Sequence, residues 1–246
     1  MQIGLIGAGN MGSAMARGWG VPVLASDSGS GRAAALVGEL GGEALTDNAE
    51  LARRADLVVL AHKPAQLEAI AAQAAPHAER VLSLLGRGTL AELRAAYPGA
   101  RVTRVEPNTP VALRQGVLVV PADDEDEDAE VLDLLAQLGT VVRVPEALMG
   151  VAGAISGVGP AYVALVAEAW ADAAVRAGLP AATATQLVSG TLSGAAALLE
   201  RSDTLSVRRA VTSPGGTTAR GLAALEREGL RRAFAAAMDD VVDFES

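Results

Sequence analysis

The 246-residue chain contains no cysteine. Disulfides, thiolate metal ligands and thiol nucleophiles are therefore excluded, which fits a cytoplasmic protein. Aromatic residues are almost as scarce, at 2%. With 50% hydrophobic residues a sizeable core is still expected and disorder is not, but that core must be built from Ala, Val and Leu. Such a core favours close helix–helix and helix–sheet packing over an aromatic-rich sandwich. Lysine occurs once, at Lys63, and the other basic residues are arginines. A net charge of −9 argues against nucleic acid as a partner, because that role needs a basic footprint. No basic N-terminal segment followed by an apolar run and a cleavage site is present, so no signal peptide is expected. The stretch nearest to a membrane span, 145–167, is interrupted by Gly157, Gly159 and Pro160, and its helical pattern runs on through Glu168 and Asp172. No membrane association is expected.

Through the first half, short apolar runs alternate with helical patterns. Strands are predicted at 2–6, 21–26, 56–61, 80–85 and 101–105, with helices at 10–19, 32–40, 49–54, 65–75 and 90–96. Asp47 is placed to cap the third helix. This alternation implies an α/β fold, a doubly wound parallel sheet of the Rossmann type. Two more strands, 117–120 and 141–144, flank a helix over 127–138 and are expected to extend that sheet. The acidic run 123–128 reads as a solvated loop and the negative first turn of that helix, not as a metal site. After Pro145 every segment reads as helix: 162–176, 181–199, 207–210, 217–228 and 231–242. The expected domains are 1–146, a dinucleotide-binding unit, and 147–246, an all-helical unit. The helix over 161–177 is apolar on nearly every face. Such a helix is expected to be buried, partly against a second subunit.

Three places carry chemistry. Gly7-Ala8-Gly9-Asn10-Met11-Gly12 follows the first strand and opens a helix. Gly7 suits the tight turn, Gly9 the approach of backbone to a pyrophosphate, and Gly12 close helix–strand packing. Asp27 lies where an acid takes the ribose hydroxyls of NAD, but Ser26, Ser28, Ser30 and Arg32 could equally hold the 2′-phosphate of NADP. Lys63 ends the strand at 56–61, and Pro64 opens the next helix at its preferred first position. His62 beside them reads either as a packed strand end or as a cofactor contact. The third place is Val211-Thr212-Ser213-Pro214-Gly215-Gly216-Thr217-Thr218. Four hydroxyls, two glycines and a proline form a loop at a helix start, where free N–H groups and hydroxyls can face an anion.

Together with Asn48, Ala61-His62-Lys63-Pro64, Pro107-Asn108-Thr109-Pro110, Ser156-Gly157-Val158-Gly159-Pro160-Ala161-Tyr162 and Ala177-Gly178-Leu179-Pro180, these motifs resemble pyrroline-5-carboxylate reductases nearly from end to end. The resemblance implies a Rossmann domain and a helical dimerisation domain, with dimers assembling further into decamers. It implies reduction of 1-pyrroline-5-carboxylate to L-proline with NADPH or NADH. By motif, Gly9, Asn10 and Met11 would lie on the pyrophosphate and Asn48 by the adenosine ribose. Ala61, Lys63 and Pro64 would line the nicotinamide side. Ser213, Gly216, Thr217 and Thr218 would hold the substrate, completed by the partner subunit. Thr218 is the candidate hydrogen-bond partner of the ring nitrogen, with Ser213 beside it, and no metal is implied.

The pattern departs from the family at Val158, where Ser is usual, at Glu106, where Met is usual, and at His62, where Val is usual. Gly150 replaces a common acid. The run 84–89 replaces Ala-Ala-Gly-Val-Ser, and its Arg87 is a candidate partner for Glu106. These changes leave the hydride chemistry intact and bear on substrate affinity or identity. Two alternatives therefore stand beside the reductase: an enzyme for a related cyclic imine, and a dinucleotide-binding paralogue that senses or scaffolds. A β-hydroxyacid dehydrogenase would need a lysine on the first long helix after the Rossmann domain, and residues 157–177 contain none.

Overall fold

The computed structural model describes residues 1–86 and 88–245 and divides the chain into two compact units, Met1–Pro160 and Ala161–Ser246. In the first unit, β1 (Ile3–Ile6), β2 (Val23–Ser26) and β4 (Leu57–Leu60) are buried at every position. Unbroken apolar runs of this kind belong to parallel strands covered on both faces. They pair in parallel with β3 (Gly42–Ala44), β5 (Arg80–Ser83) and β6 (Arg101–Arg104) in the order β3-β2-β1-β4-β5-β6. Alternate side chains leave opposite faces of a strand. Ile3, Leu5, Val23, Leu57 and Val59 accordingly pack with Met15, Trp19 and Leu36 of α1 (Asn10–Trp19) and α2 (Arg32–Leu40). On the other face Val58, Leu60 and Val81 pack with Leu51, Ile70 and Leu93 of α3 (Asn48–Arg54), α4 (Leu67–Ala74) and α5 (Leu90–Ala96).

The helix starts follow local chemistry. Asp47 Oδ1 accepts from the Ala49 N–H at 2.8 Å. Thr89 and Glu92 form a reciprocal capping box at α5. The short edge strand β3, Gly-Glu-Ala, was not expected, because it carries no β-branched or aromatic residue.

The later strands do not extend the main sheet. Glu106–Pro107 (β7), Gly116–Pro121 (β8) and Gly139–Val144 (β9) form a separate three-stranded sheet, with β7 antiparallel to β8 and β8 parallel to β9. Pro107 has no N–H for a ladder. Asn108 then fixes the turn, accepting from the Val117 N–H at 2.8 Å and donating to the Ser156 carbonyl at 3.0 Å.

The acidic run is less solvated than expected. Asp128 is buried, caps α6 (Ala129–Ala136) and pairs with Arg80 at 3.2 Å and Arg101 at 3.5 Å. Asp124 pairs with Arg94 at 2.5 Å. Asp128 thereby clamps the loop to β5 and β6, and Asp124 clamps it to α5. A buried acid is tolerated only when it is paired in this way.

After α7 (Met149–Ser156), whose Met149 and Ala154 are buried, the second unit consists of α8 (Gly159–Arg176), α9 (Ala181–Leu199), α10 (Thr204–Ala210), α11 (Thr217–Arg227) and α12 (Leu230–Glu245). Tyr162 and Phe234 meet edge to face at 6.4 Å. Ala184 and Val188 are the buried residues of this unit among those described. The expectation that α8 is buried fails for the single chain. It has no buried residue, and Val163, Leu165 and Trp170 are 54%, 64% and 48% exposed. By length and composition alone, the helical stretch Glu146–Arg176, which includes α7 and α8, would suffice to span a bilayer.

Candidate functional site

The C-terminal ends of β1, β2 and β4 open onto a cleft of about 560 Å³, where the strand order changes direction across β1. Open α/β sheets bind ligands at such a switch point. Gly7 turns the chain out of β1 with φ +106°, and a Cβ there would stand 2.6 Å from the Ala61 backbone. A Cβ on Gly12 would meet the Gly7 carbonyl at 2.5 Å, so α1 packs directly on the turn. Gly9 differs: a Cβ there would meet nothing within 4 Å. It is the N-cap of α1, offers no capping side chain and lines the cleft. The first N–H groups of α1 are therefore open to an anion.

Gly7, Gly9, Ser26, Asp27, Asn48, Ala61 and Lys63 line this one cleft together. Asn10 borders an adjoining hollow with Arg17 and Arg32. Met11, Gly12 and Pro64 are not part of the wall: Gly12 is buried under the turn, Met11 packs against the core, and Pro64 opens a short 3-10 turn.

Asp27 is fully engaged. Oδ1 accepts from the Gly29 and Ser30 N–H groups at 2.7 and 3.0 Å. Oδ2 accepts from the Ala33 N–H at 2.7 Å and the Ser30 hydroxyl at 3.1 Å. These bonds, the one from Ala33 foremost, hold its carboxyl below the usual range. The carboxylate thus shapes the loop that sets Ser28, Ser30 and Arg32 on the cleft wall. Arg32 has no ion pair among the described residues.

Asn48 is also oriented. Its Oδ1 accepts from the Ser26 hydroxyl at 2.7 Å and its Nδ2 donates to Gln73 Oε1 at 2.9 Å. Gln73 was not anticipated as a site residue. Its signal lies in spacing: Gln66, Ala69, Ile70 and Gln73 fall at i, i+3, i+4 and i+7, which puts them on one helical face, and all four line the cleft. Glu106 lies outside this cleft, close against α7: a Cβ on Gly153 would come within 2.6 Å of its Oε1. Arg87, its candidate partner, lies outside the described residues.

In the second unit, Ser213, Gly216, Thr217 and Thr218 form the loop and first turn of α11. Gly215 has φ +70°, and the Gly216 N–H donates to the Ser213 carbonyl at 3.0 Å. Gly216 is the N-cap and offers no capping side chain. By contrast, Asp47, Thr89, Asp128 and Asp203 cap α3, α5, α6 and α10. The free N–H groups at the start of α11 and the hydroxyls of Thr217 and Thr218 suit a carboxylate without any arginine.

A family described as pyrroline-5-carboxylate reductase dimerisation matches residues 146–245, and one described as NADP oxidoreductase, coenzyme F420-dependent, matches residues 2–85. The pyrroline-5-carboxylate reductase of Methanosarcina acetivorans is 36% identical over 95% of this chain and 92% of its own length. That of Synechocystis is 38% identical over 76% of this chain and 73% of its own. The crystal structure of Plasmodium falciparum pyrroline carboxylate reductase with NADP bound superposes with a TM-score of 0.86 at 26% identity, covering 100% of this chain and 97% of that one.

Proposed function

Because the chain belongs to the pyrroline-5-carboxylate reductase family, we propose that it reduces 1-pyrroline-5-carboxylate to L-proline with NADPH as the preferred donor, working as a homodimer. The observation that carries the reading is that α1 and α11 start on glycines with no capping side chain; α2 also starts on a glycine, Gly31, but there Asp27 takes the Ala33 N–H. Each suits one anion: the cofactor diphosphate at α1 and the substrate carboxylate at α11. The cleft residues fit a dinucleotide, which supplies the hydride when bound.

The chain's own groups bind and orient. The α11 start holds the carboxylate. The Thr218 hydroxyl accepts a hydrogen bond from the protonated ring nitrogen, which keeps the C=N carbon electrophilic. Hydride reaches the imine carbon, which becomes C5 of proline, the C=N pair moves onto nitrogen, and the proton already there stays. No ionisable side chain needs to take part, in keeping with a chain that has no cysteine and two histidines. Ser213 belongs to the same substrate loop.

NADPH preference follows from Asp27. A carboxylate that selects NAD must offer a free oxygen to the 2′-hydroxyl. Both Asp27 oxygens are taken by the loop's own donors, the Ser30 hydroxyl among them, while Arg32 and Ser28 line the cleft where a phosphate would sit. Arg32→Ala is expected to raise KM for NADPH about 10- to 100-fold, the range for losing one or two hydrogen bonds to a charged group, and to leave KM for NADH unchanged. Equal effects on both cofactors in steady-state assays would remove the 2′-phosphate assignment.

We assign residues 1–146 to cofactor binding and 147–246 to substrate binding and dimerisation. The exposed apolar side chains of α8 and the sparse core of the second unit support a subunit contact there. A cytoplasmic location agrees with the cysteine-free sequence. The reading is tested by mixing purified protein, pyrroline-5-carboxylate and NADPH or NADH and following the cofactor absorbance. Cofactor oxidation that depends on the imine is expected. No oxidation with either cofactor would favour a non-catalytic dinucleotide-binding paralogue.

A further inference from the structure

Ser26, Asn48 and Gln73 form a chain of hydrogen bonds with a fixed direction on one wall of the cleft. The Ser26 hydroxyl donates to Asn48 Oδ1 at 2.7 Å, which leaves the Asn48 Nδ2 to donate to Gln73 Oε1 at 2.9 Å. The Gln73 amide is thereby oriented. A half-turn would set its Nε2 against the Asn48 Nδ2, donor against donor. Nε2 makes no hydrogen bond among the described residues, and Gln73 is exposed, so a ligand in the cleft can reach it.

Position selects the part of a dinucleotide that meets this amide. Gln66 and Gln73 stand seven residues apart, about 10 Å along a helix. Gln66 Oε1 accepts from the Lys63 N–H at 3.3 Å beyond the end of β4, whereas Gln73 is joined through Asn48 to Ser26 at the end of β2. Ala69 and Ile70, between them, give the cleft an apolar wall. An apolar wall that ends in one oriented amide suits a flat base, its face on Ile70 and its edge on Gln73. The adenine edge carries a ring-nitrogen acceptor beside the N6 amino donor, the complement of an amide, and Oε1 has a second lone pair free for N6–H. We propose that Gln73 reads the adenine base of the bound cofactor: Nε2 donates to a ring nitrogen flanking the amino group, and Oε1 accepts from N6–H while it keeps Asn48. A 6-oxo base would turn a carbonyl toward Oε1, acceptor against acceptor, and Asn48 opposes the half-turn that would relieve it. The cleft therefore selects adenine over hypoxanthine. This choice of base rests on the dinucleotide assignment above and adds to it a residue that the family motifs do not include.

The test titrates two probes calorimetrically into wild type and Gln73→Met: NADPH, and its hypoxanthine analogue, which has a 6-oxo group in place of the 6-amino group. Methionine keeps the length and helix preference of glutamine without its donor or acceptor. Wild type is expected to bind NADPH about 5- to 10-fold more tightly than the analogue, the lower part of the range for a bidentate amide–adenine pair because Gln73 is exposed. Gln73→Met is expected to bind both probes equally, with its NADPH affinity reduced to about that of the analogue. Equal affinities in wild type, or a preference for adenine that survives in Gln73→Met, would overturn the assignment. Failure of wild type to bind NADPH would instead overturn the cofactor assignment beneath it.

Discussion

Thr218→Ala is expected to lower kcat/KM for pyrroline-5-carboxylate about 100-fold, in line with losing one preorganised hydrogen-bonding group at a reacting centre, with no change in the Kd of NADPH. The substitution isolates one hydroxyl. Thr218 is the second residue of α11, and alanine is the better helix former, so the helix start and its N–H groups remain. Carboxylate binding is thereby retained, and the loss falls on the contact to the ring nitrogen. Thr218→Ser, which keeps the hydroxyl, is expected to recover most of the rate. Steady-state kinetics and NADPH titration on the three proteins check this. Wild-type kcat/KM in Thr218→Ala would end the role given to this side chain.

A second large effect is expected far from the chemistry. Leu165 on α8 is 64% exposed in the single chain, within a unit whose buried residues are Ala184 and Val188 among those described. A helix of this composition in water is a poor fit unless another surface covers it. In a two-fold dimer each substitution occurs twice across one contact. Leu165→Glu forfeits burial of about 1.5–3 kcal/mol per side chain and buries two carboxylates, so dimer dissociation is expected to rise by at least about 1,000-fold. Light scattering after size exclusion should show a monomer at micromolar concentration. Imine-dependent NADPH oxidation should be lost, with NADPH still bound by residues 1–146. A Leu165→Glu protein that stays dimeric and active would remove α8 from the subunit contact.

Much of this architecture was legible in the residues. The bounds of α1, α2, α5 and α9 follow from periodicity and from start and stop signals. The main parallel strands follow from apolar runs. What escaped was what local pattern does not carry. Whether 116–121 and 139–144 join the main sheet depends on Pro107 and Asn108 turning the chain away from β6, a matter of long-range pairing. β3 was missed because edge pairing, not propensity, makes it a strand. The apolar faces of α8 are plain in sequence, but a pattern reports that a face avoids water and not which surface covers it.

The site divides in the same way. The glycines of the first turn and the hydroxyls of 211–218 are visible as letters. The engagement of Asp27 is not, because an acid at that spacing reads as a ribose ligand until its four donors are seen. Gln73 carried a helical-face signal with Gln66 and Ile70, which becomes meaningful only once the cleft is located.

The central claim is hydride transfer from a dinucleotide to the imine carbon of pyrroline-5-carboxylate. The most direct measurement uses NADPH deuterated at both hydrogens on C4 of the nicotinamide, with the product read by mass spectrometry and NMR. The account predicts L-proline carrying one deuterium, at C5. Proline without deuterium, or no proline while NADPH remains bound and unoxidised, would contradict it.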